Sequence, residues 1–233
     1  MLYSQASRMS SNQTQIIGFL GGTGPEGRGL ALRFALAGYS VIIGSRGSAR
    51  ADEAVRRMEE RASVTGVRGA TNDHVADDAD TVFITVPYGA QAALLEPLAG
   101  ALVGKTVVCT VAPIAFEDGQ PAAIHVPEGS AAAQVQQLLP GAQVVAAFQN
   151  VSAVDLWSPA RILEGDVVVC SDHPQPKEQV MALAEGISSL RAVDGGSLAN
   201  ARYVEELTVL LLNINRIHKA RTMVRFVGLD GRP

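Results

Sequence analysis

The run Ile16-Ile17-Gly18-Phe19-Leu20-Gly21-Gly22-Thr23-Gly24-Pro25-Glu26-Gly27 decides the fold of this chain. Its first five residues are apolar and read as a strand. Arg28-Gly29-Leu30-Ala31-Leu32-Arg33-Phe34-Ala35 follows and reads as a helix. Between them Gly22, Gly24 and Gly27 make a Gly-x-Gly-x-x-Gly, and a strand before and a helix after turn that common pattern into a dinucleotide-binding signature. Each glycine has a task. Gly22 lets the chain turn, Gly24 lets a pyrophosphate approach the backbone, and Gly27 lets the helix pack close to the strand. Pro25 and Glu26 open the helix, where a missing N–H costs little. Free amide groups at that helix start face the phosphates, aided by the helix dipole.

The next strand, Tyr39-Ser40-Val41-Ile42-Ile43-Gly44, ends in Ser45-Arg46, and Arg50 follows. An enzyme using NAD usually places Asp or Glu there for the ribose 2′-hydroxyl. Glu26 aside, no carboxylate occurs before Asp52. A hydroxyl and forked guanidinium donors suit a 2′-phosphate instead. Thr23 can add a hydroxyl at the same corner. The reading is NADP(H) rather than NAD(H).

Outward from this unit, strands and helices alternate. A helix spans about 48–63, a strand 64–70, a short helix opens at Thr71-Asn72-Asp73, and Thr81 to Val86 is a continuous apolar strand, as expected where helices cover both faces. A helix at 89–100 leads to a strand at 105–110. That alternation predicts a Rossmann-type α/β fold, a doubly wound parallel sheet. Residues 111–130, with three prolines, read as a long loop. Beyond it come a helix from Ser130, strands at 143–148 and 166–170, a helix at 175–190, and a last helical stretch from about Leu198 to Val227. Its residues Val204, Leu207, Leu210, Leu211, Ile214 and Ile217 are spaced to share one apolar face. The expected organisation is a disordered extension over 1–14, an NADP-binding domain over 15–141, and a smaller C-terminal α/β part over 142–233 ending in a long helix.

The chain has 233 residues, 47% hydrophobic content and a net charge of −4. There is no basic stripe, which argues against nucleic acid. No apolar run reaches transmembrane length. Residues 1–14 are polar and lack the apolar segment of a signal peptide, so a cytoplasmic protein is expected. Cys109 and Cys170 each end a β-like run and read as buried core thiols, with no disulfide framework. His74, His125, His173 and His218 show no metal-ligand spacing and no catalytic arrangement. Lysine occurs only at Lys105, Lys177 and Lys219, and no catalytic residue is assigned. A dehydrogenase acting on an alcohol must move a proton with its hydride. A reaction partner that is itself a redox cofactor lessens that need.

In open α/β sheets, ligands bind at the carboxyl ends of the strands. Three segments share that edge with the glycine loop: Thr85-Val86-Pro87-Tyr88, Thr110-Val111-Ala112-Pro113-Ile114 and Ala147-Phe148-Gln149-Asn150-Val151-Ser152. All are apolar with a few hydroxyl and amide groups, which suits a flat neutral ring such as nicotinamide. Val86, Pro87, Val111, Ala112 and Pro113 are the expected contacts.

Phe19 to Gly24, Gly29 to Arg33 and Ile43 to Arg46 resemble the NADPH-dependent F420 reductases, also called F420H2:NADP oxidoreductases. The likeness continues through Thr85-Val86-Pro87 and Val144 to Ala147. It is most specific in Ser197 to Arg202 and in Val204-Glu205-Glu206-Leu207-Thr208 through Ile214. The resemblance implies hydride transfer between NADP(H) and the 5-deazaflavin coenzyme F420. It implies that Thr23, Ser45, Arg46 and Arg50 hold the 2′-phosphate. It also implies that the deazaflavin lies over the nicotinamide, walled by Gln149 and Val151 and by Arg202, Thr208, Leu212 and Met223. A homodimer with the last helix near its interface is implied as well. Two residues depart from the family pattern: Gln149 stands where a histidine is usual, and Ser152 where a proline is. Glutamine can hydrogen-bond but carries no proton at neutral pH. The alternative reading is an NADPH-dependent reductase of another acceptor, a flavin, ferric complex or imine, on the same scaffold.

Overall fold

A computed structural model describes residues 15–229. The expected N-terminal extension lies outside the described residues. Six parallel strands form the main sheet: β1 (Ile16–Leu20), β2 (Ser40–Ser45), β3 (Val67–Thr71), β4 (Thr81–Ile84), β5 (Thr106–Cys109) and β8 (Gln143–Ala146). Their order is β3-β2-β1-β4-β5-β8. It reverses next to β1, the switch point where such sheets bind ligands. β8 lies beyond the expected boundary at residue 142, yet it completes this sheet beside β5.

The helices are α1 (Pro25–Leu36), α2 (Ser48–Arg61), α3 (Asn72–Asp78), α4 (Tyr88–Leu95), α5 (Ala131–Leu138), α6 (Ala153–Leu156), α7 (Pro174–Gly186) and α8 (Ala201–His218). They cover both faces of the sheet, and the strands divide their side chains by alternation. Phe19, Ile43, Phe83, Val108 and Val145 enter one core. Ile42, Val82, Ile84, Val107 and Val144 enter the other. Phe83 centres the first, with ring centroids 5.1 Å from Phe19, 5.4 Å from Phe34 and 5.8 Å from Phe148.

The C-terminal part adds a parallel pair, β9 (Gly165–Val169) and β10 (Leu190–Asp194), joined by α7. An antiparallel bridge from Ala146 to Cys170 ties it to β8. Three elements differ from the sequence reading. Inside the expected loop at 111–130, β6 (Ile114–Glu117) and β7 (Gln120–Ala123) form an antiparallel hairpin. Asp118 (φ 49°) and Gly119 (φ 75°) are both left-handed at its turn, the preference of Asp-Gly in tight hairpins. The helix expected to run to residue 190 ends at Gly186, and β10 follows. The last helix ends at His218 because Lys219 takes a left-handed cap (φ 49°). Past that point the chain runs beside β9, where the Asp166 N–H donates to the Val224 carbonyl at 2.7 Å.

Arg33 joins the two parts. It is 7% exposed, and its guanidinium donates to the carbonyls of Leu156, Asp155, Ser158 and Arg161 at 2.6–2.9 Å. Next to it a Cβ on Gly29 would lie 2.6 Å from Leu156 Cβ, so α1 and α6 pack at backbone distance.

Candidate functional site

A cleft of about 1000 Å³ runs along the carboxyl ends of β1, β2, β4 and β5. The glycine loop forms its floor. Gly21, and not Gly22, makes the sharp turn: its φ of +67° is left-handed, and a Cβ there would lie 2.2 Å from Val86 Cγ1. The Gly21 N–H is held by Asn72 Oδ1 of α3 at 3.1 Å. Gly22 and Gly27 are buried beneath the loop. A Cβ on Gly27 would lie 2.6 Å from Gly22 Cα and 2.6 Å from Thr85 Oγ1. Gly24 is different. A Cβ there would meet only Gly21 O and Thr85 O, both at 3.7 Å, so the protein itself does not need glycine at this position. The space beside it belongs to the cleft, and a phosphate can use it.

Thr23, Gly24, Pro25, Glu26, Ser45, Arg46, Arg50, Val86, Pro87, Val111, Ala112 and Gln149 all line the cleft. At one end Arg46 and Arg50 are exposed, and neither guanidinium has a partner among the described residues. Nearby cations behave otherwise: Arg56 and Arg57 pair with Glu53, and Arg68 pairs with Asp78. Ser45 is 6% exposed beside the two free arginines. At the strand ends Thr85 Oγ1 donates to the Leu20 carbonyl at 3.0 Å and Thr110 Oγ1 donates to the Ile84 carbonyl at 2.9 Å. These bonds fix the hydroxyls and leave their oxygens as acceptors.

Gln149 is 6% exposed and lies at the opposite wall. Its Nε2 donates to the Cys109 carbonyl at 3.0 Å. Its Oε1 is buried with no partner. The residue before it, Phe148, holds a left-handed φ of 71°, a strained conformation for a bulky side chain. Thr208 Oγ1 of α8 donates to the Gln149 carbonyl at 3.1 Å and accepts from Asn150 Nδ2 at 2.9 Å. So Thr208 acts on the cleft through Gln149.

Glu26, in the first turn of α1, is the second wall residue with an orphan oxygen. The residue is half-buried as a whole, but its Oε1 is out of reach of solvent and has no partner. Burial pushes this carboxyl up to about 8. Three buried side-chain polar atoms lack a partner among the described residues, at Glu26, Arg28 and Gln149, and two of the three side chains line this one cleft. A buried unpaired polar atom costs about 1–3 kcal/mol, so such atoms mark a place that a ligand completes.

Other expected contacts sit elsewhere in the single chain. Pro113 and Val151 are buried behind the cleft wall. Arg202 is exposed on α8, with its guanidinium on the Tyr203 ring and hydroxyl. Leu212 is half-buried on the same helix. Met223 packs on Gly165, where a Cβ would meet its Cε at 2.8 Å, and it borders a separate pocket of about 370 Å³ with Asp155, Arg161 and Arg221. Sequence reasoning missed Asn72, whose role follows from β3 and α3 standing next to the loop. Among the described residues, no group of three or more His, Cys, Asp or Glu could hold a metal ion.

Over 211 aligned residues the chain is 40% identical to the F420-dependent NADP reductase of Methanothermobacter marburgensis, covering 88% of this chain and 94% of that protein. This chain belongs to the F420-dependent NADP reductase family. The enzyme of that name from Methanocaldococcus jannaschii is 35% identical, over 92% of this chain and 99% of its own length. The family model described as NADP oxidoreductase, coenzyme F420-dependent, matches residues 16–113, from β1 into the segment after β5. A crystal structure from Arthrobacter sp. FB24 superposes with a TM-score of 0.78 at 23% identity, over 92% of this chain and 99% of that chain, and shares the fold. In this family member, then, the cleft, the free arginines and the two orphan oxygens sit on one edge of a Rossmann-like sheet.

Proposed function

We infer that this chain is an NADP-dependent oxidoreductase that transfers a hydride between NADP(H) and coenzyme F420 in the cleft above the glycine loop. The observation that carries the site is the convergence there of an open Gly24 cradle, two unpartnered arginines and two orphan buried oxygens. Gly24 and the first turn of α1 receive the pyrophosphate. Thr23, Ser45, Arg46 and Arg50 receive the 2′-phosphate, whose charge the two guanidinium groups offset. Val86, Pro87, Val111 and Ala112 wall the nicotinamide and keep out water.

Both rings bring their own redox chemistry when bound. The protein's part is proximity and orientation, the largest rate term available without a catalytic acid or base. Residues 15–141 supply the dinucleotide half of the site. Residues 142–233 supply Gln149, which offers a fixed acceptor oxygen to a donor on either ring, and Thr208, which positions it. Arg202, Leu212 and Met223 are left out of this reading, because none of them lines the cleft of the single chain.

We further propose a homodimer. Tyr203, Leu210 and Ile217 are 58%, 55% and 68% exposed and fall at seven-residue spacing along α8, one stripe of a helix. Phe116, 70% exposed, adds to this surface from the hairpin that packs beside α8. No described helix is long and apolar enough to cross a membrane. With two buried free thiols and a net charge of −4, the working place proposed is the cytoplasm, with small redox cofactors as partners and no nucleic acid.

The test is NADPH oxidation with and without F420, following both chromophores. Coupled bleaching in the presence of F420 is expected. Tight NADPH binding without F420 turnover, but with turnover of a flavin or ferric complex, would replace the acceptor and keep the NADP site.

A further inference from the structure

Glu26 poses a problem that the cofactor reading does not solve. Its carboxyl belongs to the first turn of α1 and lines the cleft two residues after Gly24, the proposed seat of the pyrophosphate. An ionised carboxylate enclosed beside phosphate groups is a like-charge pair, which disfavours the charged form of one member. A cation could offset that charge, and none does. The charged groups lining the same cleft are Arg46, Arg50 and Asp73. On α1 and the packed α6 they are Arg28, Arg33 and Asp155. Arg28 lies over the Trp157 ring, Arg33 donates to four carbonyls, and Asp155 pairs with Arg221. None of these is bonded to Glu26, whose Oε1 stays buried and unpaired. Protonation removes the conflict, since a neutral carboxyl adds a donor where phosphate oxygens offer acceptors.

We propose that Glu26 is a proton-linked positioning residue: NADP(H) binds the form of the enzyme in which the Glu26 carboxyl carries its proton, and loss of that proton weakens binding. This rests on the reading that the cleft holds NADP(H). Burial already raises the apo carboxyl to about 8, so near neutral pH the binding-competent form dominates. Adjacent phosphates raise it further. By reciprocity, dinucleotide binding takes up a proton in mildly alkaline solution.

The experiment is NADPH affinity by calorimetry from pH 7 to 9.5 for the wild type and Glu26→Gln. Between pH 8 and 9.5 the wild-type Kd should rise by up to about tenfold per pH unit, the limit for one linked proton. The Glu26→Gln profile should stay within about twofold over that range. A second measurement does not depend on the variant. At pH 8.5, wild-type binding enthalpies in two buffers of different ionisation enthalpy should report uptake of a substantial fraction of one proton. Parallel profiles in the two proteins, or no proton uptake, would overturn the role of Glu26 while leaving the NADP site intact. No NADPH binding by the wild type at pH 7 would overturn both.

Discussion

Glu205 Oε2 on α8 accepts the Ala131 N–H at 2.8 Å, and its other oxygen accepts the Ala132 N–H at 3.1 Å. A side chain far along the chain thus satisfies the first turn of α5, which Ser130 caps at Ala133 with a bond of 2.9 Å. Glu205 is 2% exposed, so the bonds are made out of water. Glu205→Ala should strand two buried donors and cost about 2–4 kcal/mol. For a chain of this size the melting temperature should fall by roughly 5–15 °C. An unchanged melting curve would mean that water replaces the carboxylate.

The same residue gives the apoprotein a pH signature. Burial raises the Glu205 carboxyl to about 7, against the lowering effect of its two N–H bonds, and raises Glu26 to about 8. The folded state therefore holds these protons more tightly than the unfolded chain. The stability they contribute is complete below about 4.5 and is lost as pH rises through 7 to 8. Asp166 works in the other direction: its bonds to Arg191 lower it, so its contribution is lost on acidification below the ordinary carboxylate range. Apoprotein melting should be higher at pH 5.5 than at 8.5. Glu205→Gln should flatten the part of that slope below about 7, and a melting temperature that climbs toward pH 8.5 would contradict the assignment.

Two glycines three residues apart should respond differently to a side chain. Gly24 has a φ of −72° and open space, so Gly24→Val should fold with little loss of stability and bind neither NADPH nor NADH. Gly27→Ala places a Cβ 2.6 Å from the Gly22 backbone and should destabilise the apoprotein itself, by roughly 1–3 kcal/mol. Thermal melts with and without NADPH separate the two. Retained affinity in Gly24→Val would mean that the loop is not the phosphate cradle.

Arg46→Ala should weaken NADPH about 10- to 100-fold, the worth of a charge-assisted hydrogen bond, and leave NADH nearly unchanged. Fluorescence titration with both nucleotides reads this directly. Equal losses would remove the 2′-phosphate role.

Leu210→Asp puts a charge in the middle of the exposed stripe of α8. If two copies pair there, light scattering should show a dimer for the wild type and a monomer for the variant. A wild-type monomer at micromolar concentration would end that proposal.

Much of this architecture is legible in the residues. Continuous apolar strands such as Thr81–Ile84 and the glycine loop announce a sheet buried on both faces. The missing carboxylate after β2 announces the arginine end of the cleft. The hairpin is masked by prolines at 113, 121 and 127, which suggest a loop, although Asp118-Gly119 carries the turn signal. β10 is hard to separate from α7 in the sequence because Leu190 continues the apolar pattern of that helix. The orphan oxygens of Glu26 and Gln149 have no trace in the sequence. Whether a buried polar atom finds a partner depends on packing between elements far apart in the chain, and Gln149 spends its amide on Cys109 for that reason. The same holds for Gly21, whose left-handed turn depends on Val86 and Asn72 closing around it.

Arg33 has a consequence for how the chain is made. Its four carbonyl acceptors lie between residues 155 and 161, more than 120 positions later in synthesis. A nascent chain emerging N-terminus first has β1 and α1 in hand long before those acceptors leave the ribosome. Until then a guanidinium sits on the face of α1 that must become dry, and it holds that face open to water. The dinucleotide half therefore lacks the acceptors of this buried cation. Burial of the Arg33 guanidinium is complete only once residues 155–161 have been made.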